Sequence, residues 1–362
     1  MTAPQRAARL LERAPWVATI GAPVAAIGIV ALGLALLGQR PGPALAAMLR
    51  GSFGDADAVV TTLLKASPLL LTGTAVALSF RCGVWNIGAE GQLVTGAVLA
   101  TAMATRIAPD APAFVLLPLC VAAGAAGGAA LAALAGLLRV KRGVSEVIAT
   151  LLLNFVALQA LALAVHGPLQ ETSAAYPQSD ALPAAALLPA AGRLHLGVAL
   201  AGAMAVATAW LLFRTPAGFR LRAVGLSPVA ARFAGLSPER EVMHALVLAG
   251  ALAGIAGAFE VMGVTRRLFE GLASGAGYTA IAVALLARLH PLAVLPAALF
   301  FGALEAGAGA MQRNAGVPSV VTQVVQGLVI LLSLGFGAGE VRLLAGRARS
   351  RPLAGEPAAR EP

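Results

Sequence analysis

The sequence is poor in charged residues, aromatic residues and cysteine. Only 12% of its 362 residues are charged and only 5% are aromatic, whereas 59% are hydrophobic. A soluble domain of this size carries charge on about a quarter of its residues, so the composition excludes an ordinary water-soluble fold. Most of the outer surface must face lipid, and the 41 glycines suit close packing between membrane helices.

The sequence also lacks the residue patterns that nucleotide binding or catalysis requires. Neither lysine, Lys65 or Lys141, follows a phosphate-binding glycine loop, so any ATP site must lie on another polypeptide. The four histidines are scattered and do not combine into a hydrolase triad or a metal-binding pair. Cys82 and Cys120 lie in or beside apolar segments, where we expect small packing residues and not a disulfide. We therefore predict no catalytic residue, no metal site and no cofactor.

The long apolar segments predict an all-α fold, a polytopic membrane helix bundle of about ten transmembrane helices. A bilayer core about 30 Å thick is crossed by about 20 helical residues, and ten segments meet or approach this length. They are residues 16–38, 59–80, 91–107, 113–138, 146–166, 195–213, 242–262, 277–289, 291–310 and 319–336. The first is too long for a signal-peptide core, so we expect it to remain as a span.

The basic residues indicate the orientation. With ten spans and the N-terminus inside, most of the 26 lysines and arginines lie on the cytoplasmic side, which predicts an N-in/C-in topology. Nucleic acid is an alternative partner for a net charge of +10, but the basic residues form short clusters without interleaved aromatics. We therefore predict no nucleic-acid partner. The predicted domains are a cytoplasmic N-terminus (1–15), a transmembrane domain (16–340) and a disordered cytoplasmic tail (341–362).

The main predicted cytoplasmic loop, residues 215–241, carries the signals of a short isolated helix. Ser227 can cap this helix, Pro228 suits its first turn, and Gly235 can end it in a left-handed conformation. The same start signal recurs before Pro238, where the next span begins. The short helix is either an ordinary amphipathic connector or a coupling helix that receives the motion of a separate ATPase.

A polar, glycine-rich stretch interrupts the apolar pattern between the second and third spans. It contains Asn86, Glu90 and Gln92. Irregular backbone at membrane depth is tolerated only where it is buried in protein or lines a cavity, and broken helices commonly form solute sites in transporters. The alternative is a surface turn in which Glu90 is simply solvated.

Charged side chains inside the spans are further candidates, because they are costly in lipid. Lys65, Glu260 and Glu305 are of this kind, and the uncharged Asn154 lies in the middle of the fifth span. For each one, a hydrogen bond that only holds the bundle together competes with solute contact. The predicted substrate pathway consists of Trp85, Asn86, Glu90, Gln92, Asn154 and Glu260.

Several strings in the chain resemble one family of membrane transporters. "NIGAEGQ" (86–92) is similar to a signature of the nucleoside or simple-sugar ABC permeases. "RAVGLSPVAARFAGL" (222–236) resembles a cytoplasmic element shared with ribose and branched-chain amino acid permeases, with Ser227 where the family carries Asn. Residues 143–159 and 278–307 resemble further segments of the family, so the resemblance covers most of residues 59–340.

The resemblance implies a permease subunit of an ATP-binding-cassette importer. Such a subunit is not an enzyme, and it translocates nucleosides or simple sugars by alternating access driven by a separate ATPase. The implied partners are an ABC ATPase subunit, a second paralogous permease in a heterodimer, an extracytoplasmic solute-binding lipoprotein and the lipid of a bacterial inner membrane. The residues assigned to ATPase coupling are Arg222, Gly225, Ala230, Ala231, Arg232 and Gly235. The alternatives are a branched-chain amino acid or ribose-type ABC permease, and an ion-coupled secondary transporter using Glu90 or Glu260.

Overall fold

The structure, a computed structural model, describes residues 15–36, 38–272, 274–318, 320–321, 323–329 and 331–332. The predicted N-terminal segment 1–15, apart from Pro15, and the predicted tail 341–362 lie outside these residues. The described residues belong to two compact units. The first comprises the described part of 15–39 together with that of 323–332, and the second comprises that of 40–322.

The first unit contains helix α1 (Pro15–Leu36) and helical residues at 323–329 and 331–332. Ala26, Val30 and Leu34 are buried and lie four residues apart, on one face of α1. Val325 and Val329 are buried with the same spacing.

The second unit is built almost entirely of helices. These are α2 (Pro41–Phe53), α3 (Ala56–Arg81), α4 (Ala89–Ala102), α5 (Ala113–Arg142), α6 (Glu146–His166), α7 (Leu196–Arg214), α8 (Pro216–Leu226), α9 (Pro228–Phe233), α10 (Pro238–Phe259), α11 (Ala276–Leu286) and α12 (Pro291–Ala315). The π-helical turns Met103–Ile107 and Glu260–Thr265 extend α4 and α10, and Ala184–Ala186 forms a 3-10 turn. Strands β1 (Ala190–Ala191) and β2 (Leu194–His195) pair antiparallel, with Ala190 opposite His195.

Six helices of the described chain are long and apolar enough to cross a membrane. They are α3, α5, α6, α7, α10 with its π turn, and α12. Residues 23–36 of α1 and helix α11 are shorter apolar helices. The prediction of an all-helical, multi-pass membrane bundle is therefore confirmed, and each of the ten predicted segments contains helix. The count of ten spans and the N-in/C-in orientation stay predictions.

Two helices, α2 and α8, correspond to no predicted segment. Helix α2 is held by close packing on α12, where the Ser52 hydroxyl donates to the Ala303 carbonyl at 2.6 Å. A Cβ atom added to Gly307 would lie only 2.5 Å from the Met48 carbonyl oxygen. Helix α8 has a cap of its own, because the Thr215 hydroxyl accepts from the Gly218 amide at 3.1 Å. Both helices are too short and too polar to stand out in a hydropathy profile.

Glycines bring helices α4, α5 and α10 into backbone contact. A Cβ atom on Gly128 of α5 would lie 2.0 Å from the Gly250 carbonyl oxygen. One on Gly96 of α4 would lie 2.3 Å from the oxygen of Gly254, and one on Gly254 would lie 2.1 Å from that of Gly124. No side chain fits at these positions, so the high glycine content packs the centre of the bundle, as the composition predicts.

Replacing Gly128 by alanine should therefore destabilise the bundle. The added methyl group forces α5 away from α10, and overpacking of this kind costs about 1–3 kcal/mol of unfolding free energy. Thermal unfolding of the purified protein in detergent, followed by circular dichroism, measures the loss. Gly202→Ala is the matched control, because Gly202 lies in helix α7 with nothing within 4 Å of an added Cβ atom. Equal unfolding temperatures for the two variants would contradict the packing argument.

Candidate functional site

The chain between α3 and α4 leaves the helical conformation with its polar side chains buried, whereas Gly83 and Trp85 are exposed. Helix α3 ends at Arg81, Gly83 takes a left-handed conformation with φ +74°, and α4 begins at Ala89. Asn86, Glu90 and Gln92 are at most 3% exposed. The alternative of a surface turn with a solvated Glu90 is therefore wrong. Helix breaks leave backbone groups without intrahelical partners, and buried groups of this kind must be paired elsewhere.

Asn86 and Gln92 pair with each other across the start of α4. The Asn86 side-chain nitrogen donates to Gln92 Oε1 at 3.0 Å, and the Gln92 side-chain nitrogen donates back to Asn86 Oδ1 at 3.0 Å. The Gly88 amide also donates to Asn86 Oδ1, at 3.0 Å. The two amide side chains therefore close the turn from within.

Helix α6 supplies partners for the backbone that the break leaves open. Asn154 Oδ1 accepts from the Gly91 amide at 2.9 Å, and Asn154 Nδ2 donates to the Ile87 carbonyl at 2.9 Å. The Thr150 hydroxyl accepts from the Ile87 amide at 3.2 Å. A further bond joins Asn154 Nδ2 to the Tyr278 hydroxyl at 3.2 Å, so Asn154 connects three segments that are distant in sequence.

Glu90 binds the beginning of helix α11. One carboxylate oxygen accepts from the Gly275 amide at 2.8 Å, and the other accepts from the Gly277 amide at 2.5 Å. A carboxylate is favourable at this point, because the first turn of a helix presents free amides and the positive end of its dipole. Gly277 allows the approach, since a Cβ atom there would lie 2.1 Å from the Glu90 nitrogen.

These contacts give the four buried residues of the predicted pathway a structural role. The side chains of Asn86, Glu90, Gln92 and Asn154 are all hydrogen-bonded within the chain, as the competing interpretation requires. Trp85 does not join them, because it is 51% exposed and its ring contacts that of Phe80 in a tilted arrangement, with ring centroids 4.7 Å apart. Solute contact by any of these five residues stays a prediction.

Glu260 lies elsewhere, in a recess that also contains the other charged candidates. A cavity of about 110 Å³ is lined by Lys65, Arg193, Glu260 and Glu305, and we call it the charged recess. Lys65 Nζ and Glu305 Oε1 are 2.9 Å apart. The Glu260 carboxylate makes no hydrogen bond with any residue that the structure describes. The structure thus brings together three charged side chains of the predicted spans.

The prediction of a short helix in the loop 215–241 is confirmed as α9, but the helix is not isolated, because only Ser227 separates it from α8. The Ser227 hydroxyl accepts from the Ala230 amide at 3.2 Å, Pro228 is the first residue, and Gly235 has φ +81°. Helix α10 begins at Pro238 as predicted, although Ser237 makes no side-chain capping bond. Ser227 thus caps α9 where the family signature carries Asn.

The six predicted coupling residues do not share one surface. Ala231 is 4% exposed and belongs to a buried apolar cluster with Leu212 and Leu246. Gly225 belongs to α8, and a Cβ atom on it would lie 2.0 Å from the Arg81 carbonyl oxygen. Only three of the six, Ala230, Arg232 and Gly235, are exposed. The buried positions hold α8 and α9 against the bundle.

The sequence analysis missed the large apolar side chains of this loop. Leu226 is 88% exposed, Val229 is 67% exposed and Phe233 is 90% exposed. Val229 and Phe233 are four residues apart and therefore lie on one face of α9. That spacing, in a short helix that carries no second large apolar pair, is the signal that would have found them. We call Leu226, Val229 and Phe233 the apolar patch.

Arginine side chains connect the same loop to the rest of the bundle. The guanidinium carbons of Arg222 and Arg81 lie 5.2 and 5.7 Å from the ring centre of Phe213, within cation–π range. Arg81 Nε also donates to the Leu289 carbonyl at 2.9 Å, in the turn before α12. These contacts join the C-terminal end of α3 to α7, to α8 and to the turn before α12. The polar stretch begins at the same end of α3.

The long loop between α6 and α7 is tied to the segment that follows α10. The Ser179 amide donates to the Leu268 carbonyl at 2.8 Å. Glu171 accepts from the Gln178 side chain at 2.7 Å and pairs with Arg267 at 3.3 Å. The hydrogen bond from Gln178 is the main cause that lowers the pKa of Glu171, and the charge of Arg267 acts in the same direction. The carboxylate therefore stays ionised at neutral pH and keeps the loop closed over this segment.

A multi-pass helical bundle with a broken helix, a charged recess and an apolar patch on a connecting helix defines a membrane transport protein. Residues 58–334 match the family described as "Branched-chain amino acid transport system / permease component", and the chain belongs to this family. The protein is therefore a permease subunit of an ABC importer, as the motifs predict.

Three relatives are similar over most of their length. A glucose ABC transporter permease of Haloferax volcanii is 35% identical, covering 87% of this chain and 87% of the relative. A guanosine ABC transporter permease of Bacillus subtilis is 34% identical, covering 84% and 89%. A nucleoside ABC transporter permease of Lactococcus lactis is 32% identical, covering 77% and 79%.

Replacing Glu90 by glutamine should reduce transport while leaving the ATPase attached. The amide offers only one acceptor to two buried backbone donors, and leaving such a donor unpaired costs about 1–3 kcal/mol. We expect faster amide exchange at residues 275–278, together with uptake reduced at least tenfold. Exchange measured by mass spectrometry on the purified protein, and solute uptake in whole cells, check the two effects.

The control is Glu270→Gln, a carboxylate that is 49% exposed and paired with His166. If Glu90→Gln exchanges and transports like this control, Glu90 does not hold the start of α11 in place.

Proposed function

We propose that this permease translocates nucleosides, or else simple sugars, across a bacterial inner membrane. The observation that carries the proposal is the similarity, over more than three quarters of the chain, to permeases named for guanosine, nucleosides and glucose. Branched-chain amino acids are the second candidate, because the description of the family names them. A separate ABC ATPase, a second paralogous permease and an extracytoplasmic solute-binding lipoprotein complete the proposed assembly.

In the proposed topology, ten spans place both termini in the cytoplasm. The loop that contains α8 and α9 then lies on the cytoplasmic side, where the basic residues Arg214, Arg220, Arg222 and Arg232 are expected. The loop between α6 and α7, which is tied to the segment after α10, then faces outward and is available to the lipoprotein.

The apolar patch is the proposed docking surface for the ATPase. Large apolar side chains that are two-thirds or more exposed are costly in water, and each stabilises an interface by about 1.5–3 kcal/mol when it is covered. The exposed coupling residues Ala230, Arg232 and Gly235 surround the patch, whereas Arg222, Gly225 and Ala231 connect it to the bundle. A push on α9 would reach α3 through the backbone contact of Gly225 with Arg81.

The buried polar network forms the frame of the proposed solute pathway. Glu90 fixes the start of α11, and the neighbouring residues Ser274 and Ala276 line the charged recess. Asn86, Gln92 and Asn154 hold Glu90 in place by closing the break, and Trp85 marks its exposed side. Glu260 is the member of the predicted pathway with a free carboxylate, and it is the proposed direct contact to the solute.

Replacing Phe233 by serine should abolish uptake while the protein still inserts into the membrane. Loss of the most exposed apolar anchor weakens the ATPase contact, and we expect at least a tenfold loss of ATPase co-purification and of labelled guanosine uptake. Phe114→Ser is the matched control, because Phe114 is 80% exposed at the start of α5, outside the apolar patch.

Competition in the same uptake assay tests the substrate class. Excess unlabelled adenosine should block guanosine uptake, and leucine should not. Inhibition by leucine alone would favour the amino acid alternative.

Full guanosine uptake by the Phe233→Ser variant would contradict the assignment of the apolar patch as the docking surface for the ATPase.

A further inference from the structure

The charged recess has a lining whose charges balance. Lys65 and Arg193 oppose Glu260 and Glu305, and the Lys65–Glu305 pair is already bonded at 2.9 Å. A charge transferred into a site of low dielectric needs a partner of opposite sign, and this lining has no excess of either sign to offer. The recess therefore suits a solute without net charge better than a nucleotide.

The Glu260 carboxylate is the unused acceptor in the recess. It makes no hydrogen bond with the described part of the chain, and its residue begins the π-helical turn Glu260–Thr265. Turns of this kind recur at functional sites, because they redirect a side chain out of the regular helical pattern. Hydroxyl groups are the neutral donors that match such a carboxylate.

Apart from Thr61 and Ser274, the remaining wall of the recess is apolar. Leu64, Leu93, Val264 and Leu272 line it beside the charged groups. A sugar ring presents hydroxyl groups at its edge and C–H groups on its face, so it matches a lining with charged acceptors on one side and aliphatic side chains on the other.

The volume of the recess limits what enters it. A water molecule needs about 10–15 Å³ of cavity, and a cavity of about 150 Å³ accommodates a benzene ring. A volume of about 110 Å³ is smaller than that, so the recess receives the hydroxyl-bearing edge of one ring and does not enclose a ring joined to a purine.

We propose that the charged recess binds the sugar ring of the solute, with Glu260 accepting hydrogen bonds from its hydroxyl groups and the Lys65–Glu305 pair completing the polar side. This inference rests on the proposed function and names the part of the solute that the permease recognises. It accounts for one architecture serving both nucleosides and free sugars, because both carry a sugar ring with hydroxyl groups at its edge. Glu90 then acts as a positioning residue, since it holds the segment that carries Ser274 and Ala276.

The test is the kinetics of uptake by the complete importer in cells, with labelled guanosine, 2′,3′-dideoxyguanosine and ribose. For Glu260→Gln we expect the KM for guanosine and for ribose to rise about tenfold, as expected for the loss of a hydrogen bond to a charged acceptor. The KM for the dideoxy compound should change less than about threefold, because it lacks the ring hydroxyl groups. Each variant is compared with the wild type for the same solute. The contribution of the lipoprotein to the KM is then the same on both sides and cancels in the ratio.

Two further variants complete the design. Glu270→Gln makes the same chemical change outside the recess and should leave all three KM values unaltered. Should Glu260→Gln fail to reach the membrane, the neutral double variant Lys65→Met with Glu305→Gln should give the same pattern of KM changes.

The outcomes separate the two proposals. An equal rise in KM for guanosine and for the dideoxy compound, or no rise at all, would overturn the assignment of the recess and leave the proposed function intact. Absence of both guanosine and ribose uptake by the wild-type importer would overturn the proposed function, and the recess assignment with it.

Discussion

The structure depends on one interaction. The backbone amides of Gly275 and Gly277 donate hydrogen bonds to the buried Glu90 carboxylate. A chain that leaves the helical conformation inside a membrane protein must provide partners for the freed backbone groups. Here residues of α6 supply hydrogen-bond partners for the break between α3 and α4. Glu90 supplies partners for the free amides at the start of α11. The cost of burying a carboxylate is reduced, because both oxygens accept from a helix N-terminus.

The same region connects the two ends of the machinery. Helix α3 carries Lys65 in the charged recess and, about 24 Å further along the helix, Arg81 against the loop that contains α8 and α9. The break that follows Arg81 leads to Glu90 at the start of α4. Glu90 in turn binds the backbone beside Ser274 and Ala276, which line the charged recess. Packed and hydrogen-bonded groups thus connect the loop that contains the apolar patch with one wall of the charged recess. The closely packed glycine contacts of α4, α5 and α10 join this region to the centre of the bundle.

Much of the fold could be predicted from the sequence, because hydrophobic runs of membrane length leave few alternatives. Both ends of α9 could also be predicted, because Ser227 and Pro228 are a local start signal and Gly235 is a local stop signal. Helices α2 and α8 could not, because their stability comes from contacts with α12 and α3 that lie far away in the sequence.

The site was predicted in composition but not in geometry. Asn86, Glu90 and Gln92 stand out as polar residues in an apolar chain, yet their partners Asn154 and Gly277 are known only once the helices are packed. The pairing of Lys65 with Glu305 is equally hidden. Phe233 was not predicted either, because the exposure of a side chain in this loop depends on how α9 packs on the bundle.

The central claim is that motion enters from a partner ATPase and that the buried charges serve as a fixed frame. It is tested most directly by solute uptake into vesicles holding the permease and its partners, with ATP hydrolysis and the ion gradient abolished in turn. The account predicts that uptake continues when an uncoupler removes the gradient and stops when ATP hydrolysis is blocked. Uptake that survives the loss of ATP hydrolysis and collapses with the uncoupler would contradict it.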